Sequence, residues 1–394
     1  MNRHINRRDF LTTSTAATLA LGVSSPSAAA ATPTPRPALM KLGCQSAPTT
    51  DAHLKYLARY GVRHICAYPQ IADNRLYATP DELHRTRDLA AANNIEVLCI
   101  GPPFLESSYI DREKHPAIML AHSPERDRDI ESLQTYIRNC ALAGIPSIKY
   151  NMSLLGVLRS GTQPGRGDAT YSRWNLSEAL AHPKPEVAIT GHDDTTGRNM
   201  PIQQAHTGLT IAGHVDADAF WERITYFLDR VIPVANEYKI RMACHPQDPG
   251  VPPQGYMGID RVLGTVPGLK RFIEIQPSPY HGLNFCQGTV SEMLADPGKE
   301  IFDVIRYFGS RNKIFNVHFR NIRGHRNDFS EVYPDEGDVD MVRAIHTYRE
   351  VGYPYMLMPD HVPTAAADPA GLQSFAFCYG YIRGLIQSLN HTTA

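Results

Sequence analysis

Apolar and polar positions follow two rhythms along the chain. Short, nearly continuous apolar runs alternate with longer stretches in which apolar side chains return every three or four positions. The first rhythm is that of buried strands and the second that of amphipathic helices. Strands are expected at 40–45, 64–69, 96–101, 147–152, 241–246, 282–288, 313–321 and 355–361. The clearest helical spacing lies at 80–93, 123–143, 216–238, 338–351 and 371–389. Ser123 with Glu125 reads as a helix start, and Gly144 with Pro146 as a stop. Eight strand–helix pairs in one series imply a parallel sheet closed on itself, an α/β fold of the (β/α)8 TIM-barrel class. The chain exceeds the roughly 250 residues typical of such barrels, and the surplus falls at 102–122, after strand 3, and at 153–214, after strand 4. Both follow strand C-termini, the face where barrels build their sites. The second insertion is rich in Gly, Pro, Thr and His and is expected to hold short local structure as a wall or lid.

The first thirty residues stand outside this pattern. Asn6-Arg7-Arg8-Asp9-Phe10-Leu11 precedes a mildly apolar stretch and an Ala-rich exit, which reads as a twin-arginine export signal at 1–30. The apolar stretch is too short to span a bilayer. A stiff Pro-rich linker follows at 31–38, leaving 39–394 as a single catalytic domain. The expected location is periplasmic or otherwise extracytoplasmic, with no membrane anchor after cleavage and with self-association left open. Thirty-nine Lys and Arg against 40 Asp and Glu give a net charge of −1, which removes the electrostatic case for nucleic-acid binding. The seven cysteines form neither a CxxC pair nor a zinc-finger spacing.

Four consecutive strands end in residue types that bind borderline metals. They are Ala243-Cys244-His245-Pro246, Asn284-Phe285-Cys286-Gln287-Gly288, Val317-His318-Phe319-Arg320-Asn321 and Pro359-Asp360-His361. A single histidine near a strand end is usually a hydrogen-bonded core or surface residue. Four such residues on adjacent barrel strands surround one point. His245, Cys286, His318 and Asp360 would suit Mn²⁺, Fe²⁺ or Zn²⁺; an ion that also takes substrate must exceed four ligands, which Mn²⁺ and Fe²⁺ do more readily than Zn²⁺. Alternation along a strand turns Cys244 to the helix layer when His245 faces the mouth.

These motifs, strongest from Phe220 onward, resemble the mannonate dehydratase family of xylose-isomerase-like, metal-dependent barrels. The resemblance rests on 241–249, 283–288 and 317–321, on Gly337-Asp338-Val339-Asp340-Met341, and on 359–361; Lys149-Tyr150-Asn151 is similar to the family's strand-4 segment. It implies a manganese or iron ion and a hydro-lyase reaction that turns a sugar acid, D-mannonate in the family, into its 2-keto-3-deoxy product and water. It further implies that His361 is the acid/base residue. Arg320, two positions after His318, is then the expected carboxylate clamp, and Asn321, Asn151 and Arg159 are expected to hold sugar hydroxyls. The chain departs from the family at 153–159, where only an arginine of a Trp-Thr-Arg element remains, and at 368–375, where the stretch that bears a catalytic tyrosine contains none.

Two other readings compete. A sugar isomerase or epimerase on the same barrel ordinarily uses a pair of glutamate bases, and Glu274 and Glu331 are expected to lie away from the ligand strands' tips. A periplasmic sugar-acid-binding protein would keep the metal site without turnover.

Overall fold

The computed structural model describes residues 37–181, 186–193, 198–205, 209–251 and 255–391. The expected leader and nearly all of the linker lie outside them. Eight parallel strands, β1 (Lys41–Ser46), β2 (His64–Ala67), β3 (Glu96–Ile100), β4 (Ser147–Asn151), β5 (Arg241–His245), β6 (His281–Cys286), β7 (Ile314–His318) and β8 (Met356–Met358), close in the order β1-β8-β7-β6-β5-β4-β3-β2. The helices that return the chain are α1 (Asp51–Arg59), α2 (Pro80–Ala92), α3 (Glu125–Leu142), α4 (Ala217–Tyr238), α5 (Val266–Glu274), α6 (Pro297–Gly309), α7 (Met341–Glu350) and α8 (Leu372–His391). This is the α/β barrel the alternation predicts. No helix among the described residues is long and apolar enough to cross a membrane.

The strands and helices form for ordinary reasons. β6 and β7 are buried along their whole length, as strands covered on one side by helices and on the other by the barrel interior must be. In α4, Phe220, Ile224, Phe227, Leu228 and Val231 recur on one face and are buried, while Asp216 caps the first turn through the Ala219 N–H at 2.9 Å. α3 starts at Glu125 behind Pro124, without a side-chain cap, so Ser123 is not the cap its position promises; its hydroxyl instead meets the Arg126 and Asp127 side chains. The main core lies between barrel and helices, and a second cluster of Cys66, Cys99, Met356 and Met358 fills the barrel interior beneath Tyr68.

After β1, each strand ends one to three residues before its apolar run does, because the last residues leave the ladder at the mouth. A second, antiparallel sheet, not visible in the apolar pattern, stands at this C-terminal side. It joins Gly161–Pro164 and Ala169–Asn175 of the second insertion to Asn321–His325 and Asp328–Val332 after β7 and Thr364–Ala365 after β8. Arg326 and Asn327 form the tight turn of the 321–332 hairpin, with Asn327 in the left-handed region at φ 72°. The remainder of the insertion includes a short helix, Leu176–Ala181, and an antiparallel pair, Glu186–Asp193 with Arg198–Ala205.

Glu82 ties the loop after β2 to α2. Its carboxylate accepts from the Thr79 and Ala72 N–H groups and from Arg75 Nη2 at 2.6 Å, while Thr79 returns the capping bond to the Glu82 N–H. Burial opposes its charge, but Arg75 and the two backbone donors outweigh burial and hold the carboxyl at about 2, below its ordinary 4.5. A depressed carboxyl stabilises the fold above the unfolded value, and that contribution disappears as pH falls through the folded one. Urea unfolding of the parent and Glu82→Gln should therefore differ by about 1.5–3 kcal/mol near neutrality. The difference should shrink as pH falls from 4.5 to 2. A gap independent of pH would contradict this role.

Candidate metal centre

Strand register brings the four expected ligands together. His245 is the last residue of β5 and lies beside Asn151 of β4. Cys286 ends β6 opposite His318, which ends β7, and His318 in turn pairs with Met358 of β8, two residues before Asp360. His245 Nε2 is 3.2 Å from His318 Nδ1, which is 3.1 Å from Asp360 Oδ2; Cys286 Sγ lies 3.9 Å from the same oxygen. One donor atom from each of the four falls within 4.8 Å of the others.

The chemistry of these atoms fits a divalent cation. His245 Nδ1 donates to the Pro246 carbonyl at 2.6 Å, which leaves the Nε2 lone pair facing the cluster. Burial, ahead of all other influences, lowers this imidazole to about 4 and keeps it neutral. The His318 Nε2 edge meets the Asn284 side-chain amide at 3.2 Å, and the Asn284 oxygen has no other partner; turned over, that amide accepts from Nε2–H and frees Nδ1 as a ligand. Burial pushes the Cys286 thiol up, but Arg320 and His318 outweigh it and leave the thiol below its ordinary value. Its sulfur also accepts from the Thr289 N–H at 3.3 Å, the form a thiolate ligand requires. Burial raises Asp360, and His318, His361 and Arg320 overcome it to hold the carboxylate ionised. Two imidazole lone pairs, a thiolate and a carboxylate repel one another unless a cation lies among them, and this mixed N, S and O set suits a first-row divalent ion.

Beside the cluster lies a buried lattice of charge. Arg320 donates to Glu292 at 2.7 Å, Glu331 at 2.6 Å, Asp248 at 2.8 Å and Thr289 at 3.1 Å, and its guanidinium covers Gly288, where a Cβ would come within 2.7 Å of its central carbon. Arg159 donates to Asp248 at 2.6 Å and also to Glu331. Burial resists ionisation of Asp248 and Glu331, but the two guanidiniums and His361 hold both well below the usual carboxylate range. Burial, and after it Asp248, pushes the Glu292 carboxyl above its ordinary value.

His361 donates from Nδ1 to Glu331 Oε1 at 2.6 Å, and its Nε2 is 3.7 Å from Asp360 Oδ2. Burial would lower this imidazole, yet Glu331 and Asp360 raise it to about 9, so it is an imidazolium at neutral pH. Glu331 therefore sits in the site, which corrects the expectation that it lies away from the ligand strands. The 321–332 hairpin folds back so that Glu331 pairs with Ile322, next to Arg320. Glu274, at the far end of α5, is exposed and remote from the mouth.

The other expected substrate contacts are placed differently. Arg320 and Arg159, only 3% and 2% exposed, are engaged by protein carboxylates. Asn321 donates to the Pro334 and Val339 carbonyls and fixes the loop beyond the hairpin. Asn151 is buried at the end of β4, its N–H bound to the Leu105 carbonyl. Cys244 turns to the helix side, in the core, as alternation requires. Three mouth residues carry no role in the sequence reading. Lys149 Nζ donates to Gln45 Oε1 at 2.7 Å and lies 3.3 Å from Tyr68 Oη, while Gln45 Nε2 donates to Asp360 Oδ1 at 3.3 Å. The signal for Lys149 was available: Ile148 and Tyr150 face the helices, so a lysine between them points inside.

A family model described as D-mannonate dehydratase (UxuA) matches residues 103–394. A mannonate dehydratase from Thermotoga petrophila is 28% identical over 282 residues, 68% of this chain and 77% of its own. Mannonate dehydratase 2 from Halalkalibacterium halodurans is 30% identical over 280 residues, 69% of this chain and 77% of that protein. Among solved structures, mannonate dehydratase from Streptococcus suis serotype 2 superposes with a TM-score of 0.70 at 21% identity, covering 90% of this chain and 96% of that one. A xylose isomerase domain protein from Planctomyces limnophilus gives 0.53 at 13% identity, covering 91% and 99%. At these identities the structural likeness speaks to the barrel itself. The family match runs through all four strand ends that carry the donor cluster, and the chain belongs to the D-mannonate dehydratase family.

Proposed function

We propose that this hydro-lyase dehydrates a sugar acid, with D-mannonate the first candidate, to its 2-keto-3-deoxy product, using Mn²⁺ or Fe²⁺ held by His245, Cys286, His318 and Asp360. The observation that carries the reading is the convergence of those four donors beside a charged His361. A bound divalent cation supplies Lewis acidity toward the acid's carboxylate and so makes the neighbouring C–H easier to ionise. Four protein donors leave substrate positions only on an ion that expands its coordination, which favours Mn²⁺ or Fe²⁺ over Zn²⁺.

His361 handles the proton. Glu331 fixes its Nδ1 edge, so the exchangeable proton on Nε2 is the one available to the mouth. The electron pair of the C2–H bond forms the C2–C3 double bond as the C3–O bond breaks. Nε2 gives its proton to the departing hydroxyl, which leaves as water, the imidazole so freed accepts the C2 proton, and the enol passes its hydroxyl proton to C3 to become the ketone. One imidazole thus closes the proton balance. An isomerase would need two free carboxylate bases. Here Glu331 is paired with Arg159, Arg320 and His361, and Glu292 with Arg320 and Arg159.

We also propose export by the twin-arginine route to the periplasm, a reading supported by Arg7 and Arg8 ahead of the apolar stretch. Replacing both by lysine should leave the chain in the cytoplasmic fraction, and unchanged export would contradict it. Cys286→Ala and His318→Ala should each lose metal after dialysis, by more than the about 10–100-fold that loss of a supporting hydrogen bond costs, and lose turnover with it. Full metal content in both variants would refute the ligand set. The metal-replete parent, assayed on aldonic and uronic acids, should form a 2-keto-3-deoxy acid. An epimer or an aldose/ketose pair as product would establish isomerisation instead, and binding without product would establish a receptor.

A further inference from the structure

At the mouth of the barrel lies a cation, Lys149, that no carboxylate reaches within salt-bridge distance among the described residues. Arg159 and Arg320 are ion-paired with Asp248, Glu331 and Glu292, and His361 is held between Glu331 and Asp360. Lys149 differs. Its hydrogen-bond partners are the neutral Gln45 amide oxygen and the Tyr68 hydroxyl, and among the described residues no carboxylate oxygen lies within salt-bridge distance of its Nζ. A half-buried ammonium whose hydrogen bonds go only to neutral oxygens remains able to take up an anion.

The position suits that use. Lys149, Gln45, Tyr68, Asp360 and His361 are half-buried, while Ile148 and Tyr150 on either side of the lysine are buried, so these polar groups line the open mouth. Gln45 spans the gap between Lys149 and Asp360, and the charge of Lys149 reaches His245 at the end of the adjacent strand. The Tyr68 ring rests on Gly101, where a Cβ would come within 2.5 Å of it, so the phenol is held in place. Burial disfavours the lysine charge, but the neighbouring Tyr68, Cys66 and Asp360 more than restore it.

We propose that Lys149 is the cation that recognises the carboxylate of the sugar acid, with Gln45 and Tyr68 as the positioning residues that aim its ammonium at the donor cluster. The inference rests on the sugar-acid reading above and takes from Arg320 the clamp that the sequence alone assigned to it. Lys149 supplies charge-assisted hydrogen bonds to one face of the carboxylate and leaves the other face to the metal centre.

Calorimetric titration of the metal-loaded full-length protein with D-mannonate and with its neutral amide, D-mannonamide, tests this. The parent should prefer the acid by about 10- to 100-fold, the range of a hydrogen bond to a charged group. Lys149→Gln should abolish that preference with metal content unchanged. Lys149→Arg should retain part of the preference, and Tyr68→Phe should weaken it. An unchanged preference in Lys149→Gln, or a parent that does not distinguish acid from amide, overturns the proposal. If the parent binds D-mannonate without converting it, dehydration fails as the function while the comparison of variants still decides the role of Lys149. A parent that binds neither compound overturns both.

Discussion

Two buried guanidiniums and the carboxylates that neutralise them are the interaction on which the site depends. Arg159 comes from the insertion after β4, Asp248 from the loop after β5, Glu292 from the segment after β6, Arg320 from the exit of β7, and Glu331 from the hairpin beyond it. Removing one member of such a lattice strands a charge in a dry environment, a cost of about 3–5 kcal/mol for a buried pair. The lattice therefore holds five separate segments in one arrangement. Its outputs are the orientation of His361 through Glu331 and the low proton affinity of Cys286 beside Arg320.

The same lattice sorts the cations by task. Arginine's planar fork can satisfy several carboxylates at once, and both arginines do so. Lysine presents a compact charge on a flexible stem, and Lys149 remains directed into the mouth with neutral partners. A substrate anion then meets a cation that no carboxylate reaches within salt-bridge distance among the described residues, next to donors arranged for an ion. The antiparallel sheet built from the insertion and the hairpin brings Arg159 and Glu331 to the rim, so the extra length of the chain serves the chemistry of the barrel.

Much of this was legible in the sequence, because the period of apolar positions and the ends of strands are local signals. The alternation of runs marks the eight barrel strands, and four metal-binding residue types at successive strand ends converge once those strands are parallel and in register. The remainder depends on pairings between distant segments. Asn321–His325 and Asp328–Val332 carry Arg, His, Asp and Glu on short strands, so no apolar run announces them, and their fold-back decides that Glu331 joins the site. The surroundings of Arg320 were hidden for a related reason. Its position two residues after His318 gives the side it faces, but not the three carboxylates that reach it from other loops. Lys149 was readable as an interior lysine, yet its lack of an anionic partner belongs to three dimensions.

The central claim is that the substrate carboxylate lies between a divalent ion on His245, Cys286, His318 and Asp360 and the ammonium of Lys149. Anomalous diffraction from crystals grown with Mn²⁺ and D-mannonate under conditions too brief for turnover tests it directly. The expected result is one strong anomalous peak within bonding distance of all four donor residues, with the carboxylate in contact with Lys149 Nζ. A peak on Asp248, Glu331 and His361 instead, or a carboxylate bound to Arg320 with that lattice opened, would contradict it.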